Sequence, residues 1–226
     1  MKNSAHLEFF KNFPLFEVLS HQEMDQLLEM VELKRIKKFD YLYNIGESSD
    51  FVCFLVKGIV KVGSVSDDGR EVIKSILHPM AMFGELSLVG EKHRQDFAVA
   101  MNEEVHIFVL KTRDFQRLIA ANQRLCVSLM NYIGKRLREV ESKLEDLVFK
   151  DARARIIDFI KESANKRGRK VGFEMLFKHC LTQQDIANIT GTSRQTVTSV
   201  LNDLKRSDLI YFNRRSILIR DIAKLA

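Results

Sequence analysis

The sequence predicts an α+β fold in three parts: an N-terminal antiparallel β-roll of jelly-roll type, a long helix, and a C-terminal winged helix-turn-helix domain. Three observations carry this expectation. Between Lys34 and about Leu110, short runs rich in β-branched and aromatic residues (FVCFLV, GIVKVGSV, EVIKSIL, FAVAM, VHIFVL) alternate with glycines and turn residues. Many short strands at that spacing point to an antiparallel sandwich or barrel. From Cys126 the apolar positions then step by 4, 3, 4, 3, 4, 3, a heptad seam along one long helix. Residues 181–204, LTQQDIANITGTSRQTVTSVLNDL, hold two helical patterns that meet at a glycine.

Residues 6–32 read as helical, broken at Pro14, with Ser20 as a helix cap, Glu23 three residues later, and Leu27, Leu28 and Val31 facing inward. Within the strand region, Asp68-Gly69 is a hairpin turn signal. Thr112 is expected to cap a short helix over DFQRLIAAN. The long helix spans about 122–149, and its seam is Cys126, Met130, Ile133, Leu137, Val140, Leu144 and Leu147. A strict two-position stripe is narrower than the face of a helix lying on its own core, so the expectation is self-pairing into a homodimer. Asp151 can cap the next helix, ARARIIDFIKESANK. A hinge at 149–151 therefore separates an expected domain 1–149 from a domain 150–226. RGRKVGFEMLFKH is a basic connection with some strand character, and LIYFNRRSILIRD reads as two strands around a basic turn.

In the 181–204 stretch, Thr182 caps the first helix and Asp185 stands in for the Glu of a capping box. Ile186 and Ile189 give an inner face, Ala187 permits a close helix crossing, and Gly191 supplies the positive φ of the turn. Ser193 caps the second helix, whose apolar face is Val197, Val200, Leu201 and Leu204. Its early polar face carries Arg194, Gln195, Thr196 and Ser199. An anchored helix with a polar N-terminal face is what major-groove reading requires. The expected DNA-contacting set is Thr182, Gln183, Gln184, Ser193, Arg194, Gln195, Thr196, Ser199, Arg214 and Arg215. Of these, Thr182, Gln183 and the 213–215 turn are assigned mainly to phosphates.

The charge distribution agrees. Residues 150–226 hold 16 Lys/Arg against 8 Asp/Glu, whereas residues 1–149 hold 20 against 22. The basic excess thus surrounds the helix-turn-helix. No run of 18 apolar residues exists and the N-terminus lacks a signal core. Cys53, Cys126 and Cys180 are far apart and odd in number, which suits buried thiols of a cytoplasmic protein. No P-loop, HExxH or GxSxG motif is present, and no enzyme activity is expected.

The order of roll, long helix and winged helix-turn-helix, with FGELSLV at 83–89 and TSRQTVTSVLNDL at 192–204, resembles the CRP/FNR family of bacterial transcription regulators. The resemblance covers nearly the whole chain. It implies a homodimer on palindromic double-stranded DNA, RNA polymerase as a further partner, and an effector pocket between the roll and the long helix. The implied effector residues are Gly84, Glu85, Leu86, Ser87, Arg94 and Gln95, with Val140 and Glu141 on the helix. In cAMP-binding members the Arg is followed by Ser or Thr; here Gln95 and Asp96 follow Arg94, and the intervening VGEKH loop is short. The helix offers Val140 and Glu141 where the best-known cAMP-responsive member has a Thr-Ser pair. A cyclic nucleotide such as cAMP, another small effector, or none are all left open. An iron–sulfur cluster lacks its N-terminal cysteines, and His78 and His93 are lone histidines rather than a haem site. The alternative to a DNA-binding regulator is a ligand-sensing module acting through protein partners.

Overall fold

The computed structural model describes residues 2–225. The chain begins with α1 (Lys2–Lys11), a single turn at Pro14–Phe16, and α2 (His21–Met30). Pro14 lacks an N–H and opens its own short turn. Ser20 caps α2 in a full capping box: its hydroxyl accepts from the Glu23 N–H, and the Glu23 carboxylate accepts from the Ser20 N–H at 2.8 Å. Val31, expected on the helix, is instead the first residue of β1 (Val31–Lys37). A β-branched residue with an extended φ and ψ ends α2 there.

Eight strands build the roll: β1, β2 (Tyr41–Tyr43), β3 (Phe51–Lys57), β4 (Val60–Val65), β5 (Glu71–Leu77), β6 (Met82–Phe83), β7 (Phe97–Ala100) and β8 (Glu104–Lys111). They form two four-stranded sheets, ordered β1-β8-β3-β6 and β2-β7-β4-β5. Between the sheets lie Tyr43, Cys53, Leu55, Val60, Val62, Phe83, Ala98, Val105 and Ile107. A second core joins the first helices to the outer face of one sheet, through Phe10, Phe13, Phe16, Phe54, Phe108 and Phe115.

α3 (Thr112–Ala121) and α4 (Gln123–Phe149) follow. Thr112 does not cap α3. Lys111 holds the cap position without a side-chain bond, and the buried Thr112 hydroxyl donates instead to Ser87 at 2.9 Å. A buried hydroxyl takes the nearest buried acceptor. On α4, Leu125 and Leu129 are buried and Tyr132 packs partly against the same core. The expected seam is a different stripe except at Ile133, which packs partly against the same core. Met130, Leu137, Val140, Leu144 and Leu147 are between half and two-thirds exposed, while Cys126 and Ile133 are half-buried.

Two compact units are distinguished. One takes the described chain to Asp68 together with Lys74–Glu139; the other takes Gly69–Ile73 and the chain from Val140 onward. The division falls inside α4. The second unit contains α5 (Ala152–Arg167), β9 (Arg169–Val171), β10 (Glu174–Lys178), α6 (Gln183–Thr190), α7 (Arg194–Arg206), β11 (Ile210–Asn213) and β12 (Ser216–Ile219). The basic connection is therefore a hairpin, and the sheet order is β11-β12-β10-β9. Ile156, Ile157, Ile160, Phe177, Ile186, Val197, Leu201, Leu204, Ile210 and Ile217 form its interior.

Candidate nucleic-acid interface and roll cavity

α6 and α7 are held at both ends by their own sequence. The Thr182 hydroxyl accepts from the Asp185 N–H at 3.0 Å and donates to the Asp185 carboxylate at 2.7 Å, while the Thr182 N–H donates to that carboxylate at 2.8 Å. The Thr182 side chain is thus consumed by the capping box. Gly191 closes α6 in the left-handed region, with φ 61° and its N–H on the Ala187 carbonyl. A Cβ there would also lie 3.0 Å from Leu147 Cδ2. Ser193 caps α7 by accepting from the Thr196 N–H at 3.0 Å, and the two hydroxyls share a bond of 2.8 Å. The Thr198 hydroxyl lies 2.7 Å from Gln183 Oε1 and 2.9 Å from the Arg194 carbonyl; the first contact ties α6 to α7 and leaves the Gln183 amide hydrogens for another partner. Gln184 donates to Asn188 at 2.8 Å along α6.

Arg194, Gln195 and Ser199 are exposed on one face of α7, and that face continues through Asn202, Asp203 and Arg206 into an open groove. Val197, Val200, Leu201 and Leu204 are buried on the opposite face. At the wing, Asn213 Oδ1 accepts from the N–H groups of Arg215 and Ser216 at 2.8 and 2.9 Å, which shapes the turn and leaves Arg214 and Arg215 exposed.

One positioning residue escaped the sequence reading. Arg155 of α5 donates Nε to the Thr190 carbonyl at 2.9 Å and Nη2 to the Gly191 carbonyl at 3.2 Å, while Nη1 reaches the Lys150 carbonyl. It satisfies the orphan carbonyls that end α6 and holds the residue after α4 with the same guanidinium. Lys150 itself lies between Asp146 at 2.7 Å and Asp158 at 2.8 Å, and hydrogen bonds to these carboxylates, Asp146 first, raise its pKa. Asp151 caps α5 through the Ala154 N–H at 2.7 Å. Only the i, i+2 spacing of two arginines in ARAR hinted at this corner.

In the roll, Gly84 (φ 72°) opens a short turn over Glu85–Val89. A cavity of about 30 Å³ lies beside it, lined by Tyr43, Val62, Phe83, Gly84, Glu85, Leu86, Glu91, Asp96 and Arg136. Glu85 sits 3.6 Å from Arg136 Nε, and Arg136 also donates to Ser75 at 3.1 Å. Burial raises the Glu85 pKa, partly offset by the Arg136 charge. The Tyr132 hydroxyl donates to the Met82 carbonyl at 3.0 Å and accepts from its N–H at 3.3 Å. Of the expected effector residues, only Gly84, Glu85 and Leu86 line the cavity. Ser87 is buried behind it on Thr112, and Gln95 is exposed with its amide on the His93 carbonyl. Val140 and Glu141 are exposed on α4.

Comparison with known proteins follows the same division. The profile of the cyclic nucleotide-binding domain matches residues 33–122, and that of the Crp-like helix-turn-helix domain matches residues 154–226. A CRP-like cAMP-activated global transcriptional regulator of Mycobacterium tuberculosis is 32% identical over 80% of this chain and 80% of its own length. The chain belongs to the CRP/FNR family of transcription regulators. The cyclic AMP receptor protein of Thermus thermophilus is 26% identical over 95% of this chain and 96% of its own. A CooA variant from Carboxydothermus hydrogenoformans superposes with a TM-score of 0.78 at 29% identity, covering 95% of this chain and 94% of that one. Membership makes this CRP/FNR chain a DNA-binding regulator, with the helix-turn-helix as its DNA-binding element.

The match to a cyclic nucleotide-binding domain implies a phosphate site in the roll. Arg94, which the family resemblance places among the effector residues, is 1% exposed and turned into the protein. Its Nη1 donates to the Gly84 carbonyl at 3.0 Å and its Nη2 to the Phe51 carbonyl. Its Cζ lies 4.4 Å from the centre of the Tyr43 ring and 4.8 Å from that of the Phe51 ring. The cavity holds about one water molecule, against roughly 300 Å³ or more for a typical ligand site. Glu85, Glu91 and Asp96 face it with Arg136 as the one cation of the lining. These residues do not fit a cyclic nucleotide phosphate.

Proposed function

We propose that this regulator acts in the cytoplasm as a homodimer that reads a palindromic operator and then engages RNA polymerase. Its roll, residues 1–149 with the long helix, would set the geometry of the DNA-binding residues 150–226. The observation that supports this reading best is the sidedness of α7: four buried apolar residues anchor it, and Arg194, Gln195 and Ser199 stand free on the other face. The exposed stripe of Met130, Leu137, Val140, Leu144 and Leu147 supplies the dimer seam. Thr196 and Ser193 shape the helix start, and Gln183, Gln184, Arg214 and Arg215 hold phosphates.

Control by a small effector belongs to the same proposal in a general form. The Glu85–Arg136 and Tyr132–Met82 contacts seat α4 on the roll. A ligand that altered them would bias α4, and through it the corner at 149–151. A dimer of this type spans half-sites roughly 34 Å apart, so small changes of angle shift binding strongly. The test is selection from a pool of random duplexes by gel shift. A selected palindrome supports the reading. Salt-sensitive binding without selection would favour a module that works through protein partners.

A further inference from the structure

We infer that Arg94 is a positioning residue of the roll itself, and that DNA binding by this chain is not gated by a cyclic nucleotide. The inference rests on the DNA-binding reading above and deepens it.

A free phosphate-binding arginine presents its fork to a ligand. The Arg94 fork is spent on two backbone carbonyls, those of Gly84 and Phe51. These lie on the turn after β6, which lines the cavity, and at the start of β3, so one guanidinium joins two segments that are distant in the chain. Tyr43 and Phe51 cover its faces, and the Glu91 carboxylate stands 3.6 Å from Nη1. Glu91 is anchored in turn by the Ser49 hydroxyl at 2.6 Å. The remaining Nε has no hydrogen-bond partner, but Arg94 is not among the residues that line the cavity. Gly84 fits the same account: a Cβ there would stand 2.9 Å from Arg94 Nη1. The glycine makes room for the arginine as well as for its own positive φ.

To meet a phosphate in the cavity, Arg94 would have to leave both carbonyls and both rings. It would take the cation away from the Glu91 carboxylate, whose side chain is only 9% exposed and would keep only the neutral Ser49 hydroxyl and Gln95 N–H as donors. The incoming anion would then face Glu85, Glu91 and Asp96. Each of these terms opposes nucleotide entry, and the ion pair from Arg136 to Glu85 already supplies the cavity's cation with a partner.

The experiment is thermal unfolding of the full chain with and without millimolar cAMP or cGMP, for wild type, Arg94→Lys and Arg94→Ala. A nucleotide at a hundred times its Kd would raise the Tm of a chain this size by about 5–10 °C. The expected result is no shift for wild type, and a Tm lowered by about 5–10 °C in both variants without any ligand. Arg94→Lys keeps the charge but loses the planar fork, so it separates a structural role from a phosphate role if Arg94→Ala fails to fold. A nucleotide-dependent rise in the wild type that Arg94→Lys abolishes would overturn the inference, as would an Arg94→Lys protein as stable as wild type. Gel shifts of wild type on its selected duplex, with and without nucleotide, should coincide; tighter binding with nucleotide overturns the inference as well. If wild type bound no duplex at all, the DNA-binding reading would fall, while the thermal result would still judge Arg94.

Discussion

Arg194 and Gln195 are the side chains on which base preference should turn. Arg194 can bond guanine O6 and N7 in bidentate fashion, worth about 1–3 kcal/mol of discrimination, and Gln195 can pair with adenine N6 and N7. A Glu in place of Gln195 would accept from cytosine N4 instead, and Ser199 is too short and uncharged for a bidentate contact. Site selection with Arg194→Ala should lose one guanine per half-site, and Gln195→Glu should change the neighbouring base. An unchanged consensus would remove that residue from the reading set. Glu85 gives a second test. Its pKa is raised by burial above the ordinary value of 4.5. In the unfolded chain the carboxyl ionises first, so stability falls as pH rises from about that value through the native pKa, and the loss is complete above it. Glu85→Gln should therefore raise the Tm at neutral pH, with the gain shrinking in acid. A gain that persists unchanged at low pH would contradict the assignment.

Much of each element could be read from the chain because local chemistry decides it. The boxes at Ser20–Glu23 and Thr182–Asp185, the caps at Asp151 and Ser193, and Gly191 all act within a few residues. β1 was harder to see: VELKRIK carries four charges and is defined by its ladder to β8, which pairs Val31 with Leu110 and Lys37 with Glu104, far along the chain. The core stripe Leu125–Leu129–Tyr132 of α4 was hidden behind the more regular heptad seam. The inward turn of Arg94 could not be read at all, because Tyr43, Phe51 and Gly84 come together only through the sheet. At this scale the corner after α4 is the sharpest target. Arg155→Ala leaves the Thr190 and Gly191 carbonyls short of a charged donor, a loss of about 1.5–3 kcal/mol. It should weaken operator binding about tenfold or more without altering the selected sequence, as quantitative gel shifts would show. A changed consensus would instead place Arg155 at the bases.

For the whole molecule, the proposed dimer makes affinity for a palindrome depend on two recognition helices being carried together. Replacing Leu137 and Leu144 by Glu puts charge on the exposed stripe of α4, where neither side chain supports the roll core. Sedimentation should then show monomers with an intact circular dichroism spectrum, and operator binding should fall at least a hundredfold. A variant that stays dimeric would move the interface elsewhere. Monomers that still bind the full operator as tightly as wild type would show that pairing contributes nothing to recognition.

The phenylalanine cluster of the first core has a consequence for how the protein is made. Phe10 stacks against Phe108 with ring centres 5.0 Å apart, and Phe16 against Phe115 at 5.8 Å. Phe10 and Phe16 also pack against Phe54, but their cover is complete only when partners about a hundred residues later have been made. At about 5–20 residues per second, that delay is roughly 5–20 s. During it, PLF and its flanking phenylalanines are an apolar segment in water, the kind of surface that chaperones shield. Arrested nascent chains of increasing length should lose protease sensitivity near Phe16 only once α3 and the first turns of α4 have emerged. Earlier protection would mean that the helices have found another cover.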